Sequence, residues 1–397
     1  MVEIREAREE DRESVGRVLW RAFEATENFE DVQKLDWLKH WHQPQKHDWA
    51  YVAVDNNKVV SNFCFFVTDD DIIRGNPVMF GGVWAVATEP QYRRRGLVKS
   101  LFDVSFEKMH REGAVLSILD PFSRPFYEQF GYALAEKRAK HVFSRHQLKY
   151  VKGPSNITSY EAMDSKDFEK ARKVERSMAR FGSRFFIFER TWNEIMKRGN
   201  LHILERDSEP VGTVQFSFQK PSSGHGYNLQ VGLTRYTSDD VFLSILELVY
   251  NSIPSVQTIT WWTDAEVPLR HFFLDHNAET FQIGSMMMRV IDLEGYCKSI
   301  RIPKHVEEEV TIELNDSQCP WNSGVYTLSP MNGTLTAERV NRTPDIVLSE
   351  FQLSKVISGM SPAKLLQAFG EIKCSKDIAT RLEAIFPADT FLSYIRF

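Results

Sequence analysis

A chain of 397 residues has room for two or three domains at about 150 residues each. Its 42% apolar and 26% charged residues are those of an ordinary globular protein; a disordered tail, a collagen-like repeat and a small disulfide scaffold are excluded. The 49 Lys and Arg against 54 Asp and Glu leave a formal charge of −5, which excludes a chain-wide cationic field for nucleic acid.

Along the first 150 residues, helical and strand patterns alternate. Val15, Val18, Leu19, Ala22 and Phe23 fall on one stripe of a helix over 11–23, and a second short helix is predicted from Val32 to His40. YVAV (51–54), the turn Asn56-Asn57 and VVSNFCFFV (59–67) read as a hairpin, with Cys64 a small core residue. A strand over 78–88 precedes a helix from Gly96 to Arg111, which aligns Val98, Phe102, Phe106 and Met109 and stops at Gly113. AVLSIL (114–119) is a buried-type strand. Pro125 to Phe130 is a short helix ended by Gly131, and a strand starts at Tyr132.

Gly153-Pro154-Ser155 is a boundary, and the same order then repeats. A strand over 156–162 leads to a helix capped by Asp164 and running to Ala179, then a second helix over 190–198. LHILERD, VGTVQFSFQ and NLQVGLTRY read as strands. A helix capped by Ser238 or Asp239, the strand QTITWWT, a short helix over 268–275 and a last strand over 281–291 complete the repeat. The order indicates a diverged internal duplication. From Gly295 onward, strands at 310–314, 325–330, 334–340 and 345–349 precede helices at 350–358, 362–369 (capped by Ser361) and 376–386 (capped by Ser375), an α+β pattern. The expected architecture is therefore α/β (α+β), in domains 1–150, 151–290 and 291–397.

No run approaches about 18 consecutive apolar residues, so no membrane span is expected. The start MVEIREAREEDRESV lacks the apolar core of a signal peptide, and the cytoplasm is the expected location. Cys64, Cys297, Cys319 and Cys374 form no CxxC pair, and no metal is expected.

Chemistry concentrates in GGVWAVATEPQYRRRGLVKSLF (81–102). A strand ends, Pro90 turns the chain, and Arg93-Arg94-Arg95-Gly96 opens an amphipathic helix. Free amides at a helix start, with the positive dipole end, suit a pyrophosphate. Gly96 lets the backbone approach it, and the arginines add charge-assisted bonds. Spacing alone equally fits a solvated turn. A GxxxxGK[ST] loop is absent, which argues against a nucleotide triphosphatase.

QYRRRGLV (91–98) resembles the R/Q-x-x-G-x-G/A signature of the GNAT acetyltransferases at Arg93 and Gly96, with Val98 aligned to the last position in place of the usual Gly or Ala, a departure frequent in one branch of that family. With GVWAVATEPQYRRRG, LDPFSRPFYEQFGY (119–132), CPWNSGVYTLSP…RVNRTPDIVLS (319–349) and an aromatic last residue, the chain is similar to the Eis (enhanced intracellular survival) branch. The resemblance covers the whole chain. It implies tandem GNAT domains, the second degenerate, then a sterol-carrier-protein-like domain, and a homo-oligomer, hexameric in that family. It further implies acetyl-coenzyme A as cosubstrate: Val86, Ala87 and Thr88 would bind the pantetheine through backbone groups, Arg94, Arg95, Gly96, Leu97, Val98 and Lys99 would cradle the pyrophosphate, and Phe122 and Ser123 would add contacts. Tyr127 would be the general acid, and the terminal carboxylate of Phe397 the general base.

A phenol with pKa about 10 holds its proton at neutral pH and suits a thiolate leaving group, although Tyr127 among Phe126, Phe130 and Tyr132 also fits a core. The apolar tail FLSYIRF fits docking, with or without catalysis. In the second domain, TRYTSDD sets acid where phosphate would sit, so no acetyl-coenzyme A is expected there. Trp261 and Trp262 line the cleft or fill the core.

The expected activity is acetyl transfer to a primary amine of an aminoglycoside, polyamine or lysine. Glu24, Glu27, Glu30 and Asp31 would attract such a cation, and Arg396 would oppose it. The alternatives are a lipid or sterol carrier, a non-catalytic coenzyme A sensor, and an aminoacyl transferase using charged tRNA. The last needs a basic groove, which the charge does not favour.

Overall fold

The structure, a computed structural model, describes residues 2–23, 48–69, 72–178, 200–221, 225–252, 256–265 and 267–388. The helices expected at 32–40 and 190–198 lie outside them.

The first lobe opens with β1 (Glu3–Glu6), α1 (Arg12–Phe23), β2 (Asp48–Asp55) and β3 (Lys58–Thr68). After the small hairpin β4 (Ile72–Ile73) and β5 (Asn76–Pro77) come β6 (Phe80–Thr88), α2 (Leu97–Arg111), β7 (Leu116–Leu119), α3 (Arg124–Glu128), β8 (Ala133–Leu134) and β9 (Arg138–Phe143). Asn56 and Asn57 both take positive φ, as a two-residue hairpin that matches strand twist requires. The expected apolar stripe of α2 is its buried face: Phe102, Phe106 and Met109 are inaccessible to solvent.

The second lobe repeats the order with β10 (Ile157–Glu161), α4 (Ser165–Met178), β11 (Asn200–Arg206), β12 (Glu209–Gln219), β13 (Tyr227–Tyr236), α5 (Asp239–Asn251), β14 (Val256–Asp264), β15 (Glu279–Ile283) and β16 (Met287–Val290). The helix expected over 268–275 is only a 3-10 turn, Leu269–Phe272.

The two seven-stranded sheets run β1-β2-β3-β6-β7-β16-β8 and β10-β11-β12-β13-β14-β9-β15. Each borrows its sixth strand from the other. The strand expected from Tyr132 onward breaks into β8 and β9, and the one expected over 281–291 into β15 and β16; in both cases the pieces join different sheets. The crossing is tight. Ala135 N donates to Met286 O at 2.9 Å, and the buried Glu136 carboxylate accepts from the Ser285 hydroxyl and the Met286 amide. A Cβ on Gly284 would stand 2.5 Å from Glu136 O, so only glycine lets the two backbones pass. Alternation marks a strand but not the sheet it joins: β9, before residue 150, belongs to the second sheet, and β16, within 151–290, to the first, whereas residue 290 does precede every strand of the C-terminal sheet.

Both lobes part their central parallel pair. β6 pairs with β7 only from Phe80 to Val83, and β13 with β14 only from Tyr227 to Val231. Each also slips register at the same place, between Asn62 and Cys64 on β3 and between Thr213 and Gln215 on β12. Ala87 lies opposite Asn62 as Arg235 lies opposite Thr213. The buried Arg235 meets Glu175 of α4 at 2.9 Å, while Trp261, inaccessible, donates to Thr234 Oγ1 at 2.8 Å. Core side chains therefore fill the second opening, and Trp261 belongs to them.

The C-terminal domain comprises α6 (Leu293–Ser299), β17 (Val310–Asn315), β18 (Gly324–Met331), β19 (Thr334–Arg339), β20 (Ile346–Ser349), α7 (Glu350–Ser358), α8 (Ala363–Ala368) and α9 (Lys376–Ile385). Ser349 and Ser375 cap their helices, whereas α8 begins after Pro362 with no capping side chain; Ser361 is not its cap. One apolar core runs from Phe66, Phe80 and Ile118 of the first sheet through Tyr296 to Ile312, Leu328 and Leu353. The domain is fused to the first lobe rather than tethered.

Gly284→Ala is expected to destabilise the protein by about 1–3 kcal/mol, because the new methyl group forces the crossing strands apart. An unchanged urea midpoint would contradict that role.

Candidate active site

Beyond Val83 the main chain of β6 is no longer paired with β7, and no other strand among the described residues takes that side. A bulge on the other side explains why. Ala85 takes φ +49, and Asn62 Nδ2 donates to its carbonyl, which turns Val86, Ala87 and Thr88 outward while β3 still holds Ala87 and Thr88. The Ser61 hydroxyl donates to Ala87 O at 2.9 Å and lies 2.7 Å from Thr88 Oγ1, which stiffens the wall.

The chain then turns at Pro90–Tyr92 into α2. Arg94 and Gly96 adopt positive φ, 61 and 79, and no acidic residue or capping side chain occupies the first turn of α2. The first amides of a helix have no intrahelical acceptor and carry its positive dipole end. Among the described residues no side chain caps them, the arrangement that suits an anion. A Cβ on Gly96 would meet nothing within 4 Å, so the backbone conformation and not space demands glycine. Arg93 Nε donates to Thr88 O at 3.2 Å, and Lys99 pairs with Asp103 at 3.1 Å.

These two features form one groove of about 700 Å³. Of the residues singled out by sequence, Val86, Ala87, Thr88, Arg94, Gly96, Leu97, Val98, Lys99 and Phe122 line it. Arg95 and Ser123 do not: Arg95 lies over the Tyr92 ring at 4.8 Å, and Ser123 is the residue before α3. Phe23, Arg93, Phe126, Gln129 and Phe130 line it too. Arg93 stood within the signature. Phe126 and Phe130 carry no signal that separates a groove wall from a core.

Tyr127 sits behind this wall, 5% exposed, edge-on to Phe122 at 5.6 Å, Phe126 at 5.0 Å and Phe102 at 6.3 Å. Burial, and then the negative charge of Asp120, pushes its phenol well above the ordinary value. The phenol therefore holds its proton at neutral pH. Trp262, the other tryptophan considered for the cleft, instead carries Arg138 over its ring at 5.1 Å. Phe397, Arg396 and the acidic cluster of Glu24, Glu27, Glu30 and Asp31 lie outside the described residues.

In the second lobe the corresponding helix start holds Asp239 and Asp240, and Arg206 bonds Asp240. A separate recess of about 440 Å³ includes His141, whose ring is held between Thr263 and Thr280 hydroxyls at 3.0 Å each. Burial, with nearby Arg270, lowers its pKa to about 4. Among the described residues no three potential metal ligands gather, and no helix is long and apolar enough to cross a membrane.

Residues 3–135 match the family model of the acetyltransferase (GNAT) domain, and residues 293–391 that of the sterol carrier protein domain. No curated protein matches the chain by sequence. Among solved structures, the chain is similar over its full length, and theirs, to a GCN5-related N-acetyltransferase from Anabaena variabilis (16% identity, TM-score 0.87), one from Kribbella flavida (19%, 0.84) and Eis1 from Mycobacterium abscessus (16%, 0.80). These likenesses establish the fold, including the expected tandem arrangement with its C-terminal domain.

Gly96→Ala should weaken coenzyme A binding roughly tenfold, since a Cβ in the left-handed region costs about 1–2 kcal/mol; calorimetry with unchanged affinity would refute the cradle. The upward shift of Tyr127 keeps its proton on to higher pH. The rate profile should therefore show no fall from loss of this acid up to pH about 10; a falling limb near pH 8 that vanishes in Tyr127→Phe would contradict the assignment.

Proposed function

Because the chain is an acyltransferase of the GNAT superfamily built on the Eis-like plan, we propose that it transfers acetyl from acetyl-coenzyme A to a primary amine by direct attack. One observation carries this reading: a buried, protonated phenol lies directly behind the Phe122 and Phe126 wall of a groove whose other wall is the main chain of Val86–Thr88, which pairs with β3 but not with β7.

In the proposed reaction the amine nitrogen attacks the thioester carbon and the carbon–sulfur bond breaks. An outward amide of the β6 wall steadies the carbonyl oxygen as it gains charge. The Tyr127 hydroxyl gives its proton to the departing thiolate. The Phe397 carboxylate takes the proton that the amine loses. Arg94, the amides opening α2 and Lys99 hold the pyrophosphate; Arg95, facing Tyr92, supports the turn rather than the phosphate.

The acceptor we infer is cationic: an aminoglycoside, a polyamine or a lysine side chain. Ala22 and Phe23 at the end of α1 are part of the groove wall, and Glu24, Glu27, Glu30 and Asp31 follow directly in sequence. Carboxylates there raise the local concentration of a cation.

An amine panel with thiol-release detection should find acetyl-dependent turnover with at least one polycationic acceptor and none with neutral alcohols. Tyr127→Phe should lower kcat by about 10²-fold or more with acetyl-coenzyme A binding retained, and unchanged turnover would remove it from the mechanism. A short C-terminal extension should abolish turnover by displacing the carboxylate of Phe397. Full activity in the extended enzyme would contradict that role.

A further inference from the structure

Tyr127 is carried by α3, a helix of five residues. So short a helix does not hold itself in place, because nucleation costs more than one turn returns. Its position is set from outside, and the contacts that set it converge on Arg289.

Arg289 lies on β16, the strand lent to the first sheet, and its side chain is inaccessible to solvent. Nη1 donates to Phe130 O at 2.8 Å, three residues beyond Tyr127. That carbonyl follows the last turn of α3, where helical acceptors run out of internal donors. The same turn folds back on Tyr127, whose carbonyl accepts from Phe130 N at 3.0 Å and Tyr132 N at 3.3 Å. The guanidinium lies over the Phe106 ring of α2 at 4.4 Å.

The C-terminal domain holds the other side of the guanidinium. Nη2 donates to Asp316 Oδ2 at 2.7 Å, and both side chains of the pair are buried. Asp316 is fixed in turn, with Oδ1 accepting from the amides of Gln318 and Cys319 at 3.2 and 2.8 Å. Gln318 reaches back to α2, its Nε2 donating to Asp103 Oδ1 at 3.1 Å, and Asp103 pairs with Lys99 of the cradle. Contact on this side is close: Gly131 has φ +78, and a Cβ there would stand 2.5 Å from Glu350 Cγ of α7.

We propose that Arg289 is a positioning residue for the acid: paired with Asp316, it holds the Phe130 carbonyl and thereby fixes Tyr127, so that the loop 316–322 of the C-terminal domain takes part in catalysis without touching substrate. The inference rests on the reading of Tyr127 as general acid. It gives the C-terminal domain a role distinct from delivering the chain's last residue.

The test is a double-mutant cycle between Asp316→Asn and Tyr127→Phe in the full chain, read as kcat and as KM for acetyl-coenzyme A, with folding checked by thermal unfolding. Asp316→Asn keeps the shape of the side chain and removes its charge. It should lower kcat by about tenfold to a hundredfold, the cost of a misplaced catalytic group, with KM for acetyl-coenzyme A nearly unchanged. Combined with Tyr127→Phe it should add almost nothing. Multiplying losses, a full kcat in Asp316→Asn, or a risen KM with kcat unchanged would each overturn the positioning role and leave the acid in place. Parental kcat in Tyr127→Phe alone would instead remove the acid, and this inference with it. If Asp316→Asn does not fold, Gln318→Ala carries the same cycle, with an expected loss of roughly threefold or more.

Discussion

The parting of β6 from β7 after Val83 is the constraint on which the site depends. A parallel pair that stayed zipped would spend on its neighbour the amides of Val86–Thr88 that face β7. The bulge at Ala85, braced by Asn62, turns that stretch out while β3 keeps it rigid. The wall it forms and the turn at Arg94 and Gly96 that opens α2 line one groove. The second lobe makes the comparison within one molecule. It has the same parting and the same slip in register, yet Arg235 replaces Ala87 and meets Glu175, Trp261 packs beneath, and Asp239 and Asp240 stand at the helix start. One topology yields a groove in the first lobe and a filled core in the second.

The length of the chain follows from how these parts hold one another. The lobes exchange their sixth strands, the cost being a crossing that only Gly284 permits. The C-terminal domain shares the first lobe's core and sends Asp316 to meet Arg289 beneath α3. A buried ion pair of this kind is weak evidence for stability, since desolvation offsets its attraction. What it does supply is a fixed direction. Cys319, 3.2 Å from the same guanidinium, stays a thiol, because burial pushes its pKa up to about 12 despite that neighbour.

Much of this was legible in the sequence. The helical stripe of α2, the Asn56-Asn57 hairpin, the cap at Ser375 and the Gly96 turn each rest on local rules, and local rules need only neighbours in the chain. Sheet membership does not. β9 alternates like any half-buried strand and β16 is buried throughout, but neither pattern names a sheet, and their exchange is decided by contacts between segments far apart in sequence. The aromatic cluster was ambiguous for a related reason: Phe126, Tyr127 and Phe130 have the same pattern, and only the fold puts Phe126 on the groove and Tyr127 behind it. Arg289 inside the apolar run MMMRV was a signal, because a charge in a buried strand needs a partner, but nothing in the run names Asp316.

The most direct test of the central claim, one open groove and one filled, is a calorimetric titration of the full chain with acetyl-coenzyme A. One equivalent per chain is expected, with affinity lost when Arg94 is reversed to Glu and unaffected by Asp240→Ala. Two equivalents would show the second lobe to be open, and none would contradict the groove as the site of acetyl transfer.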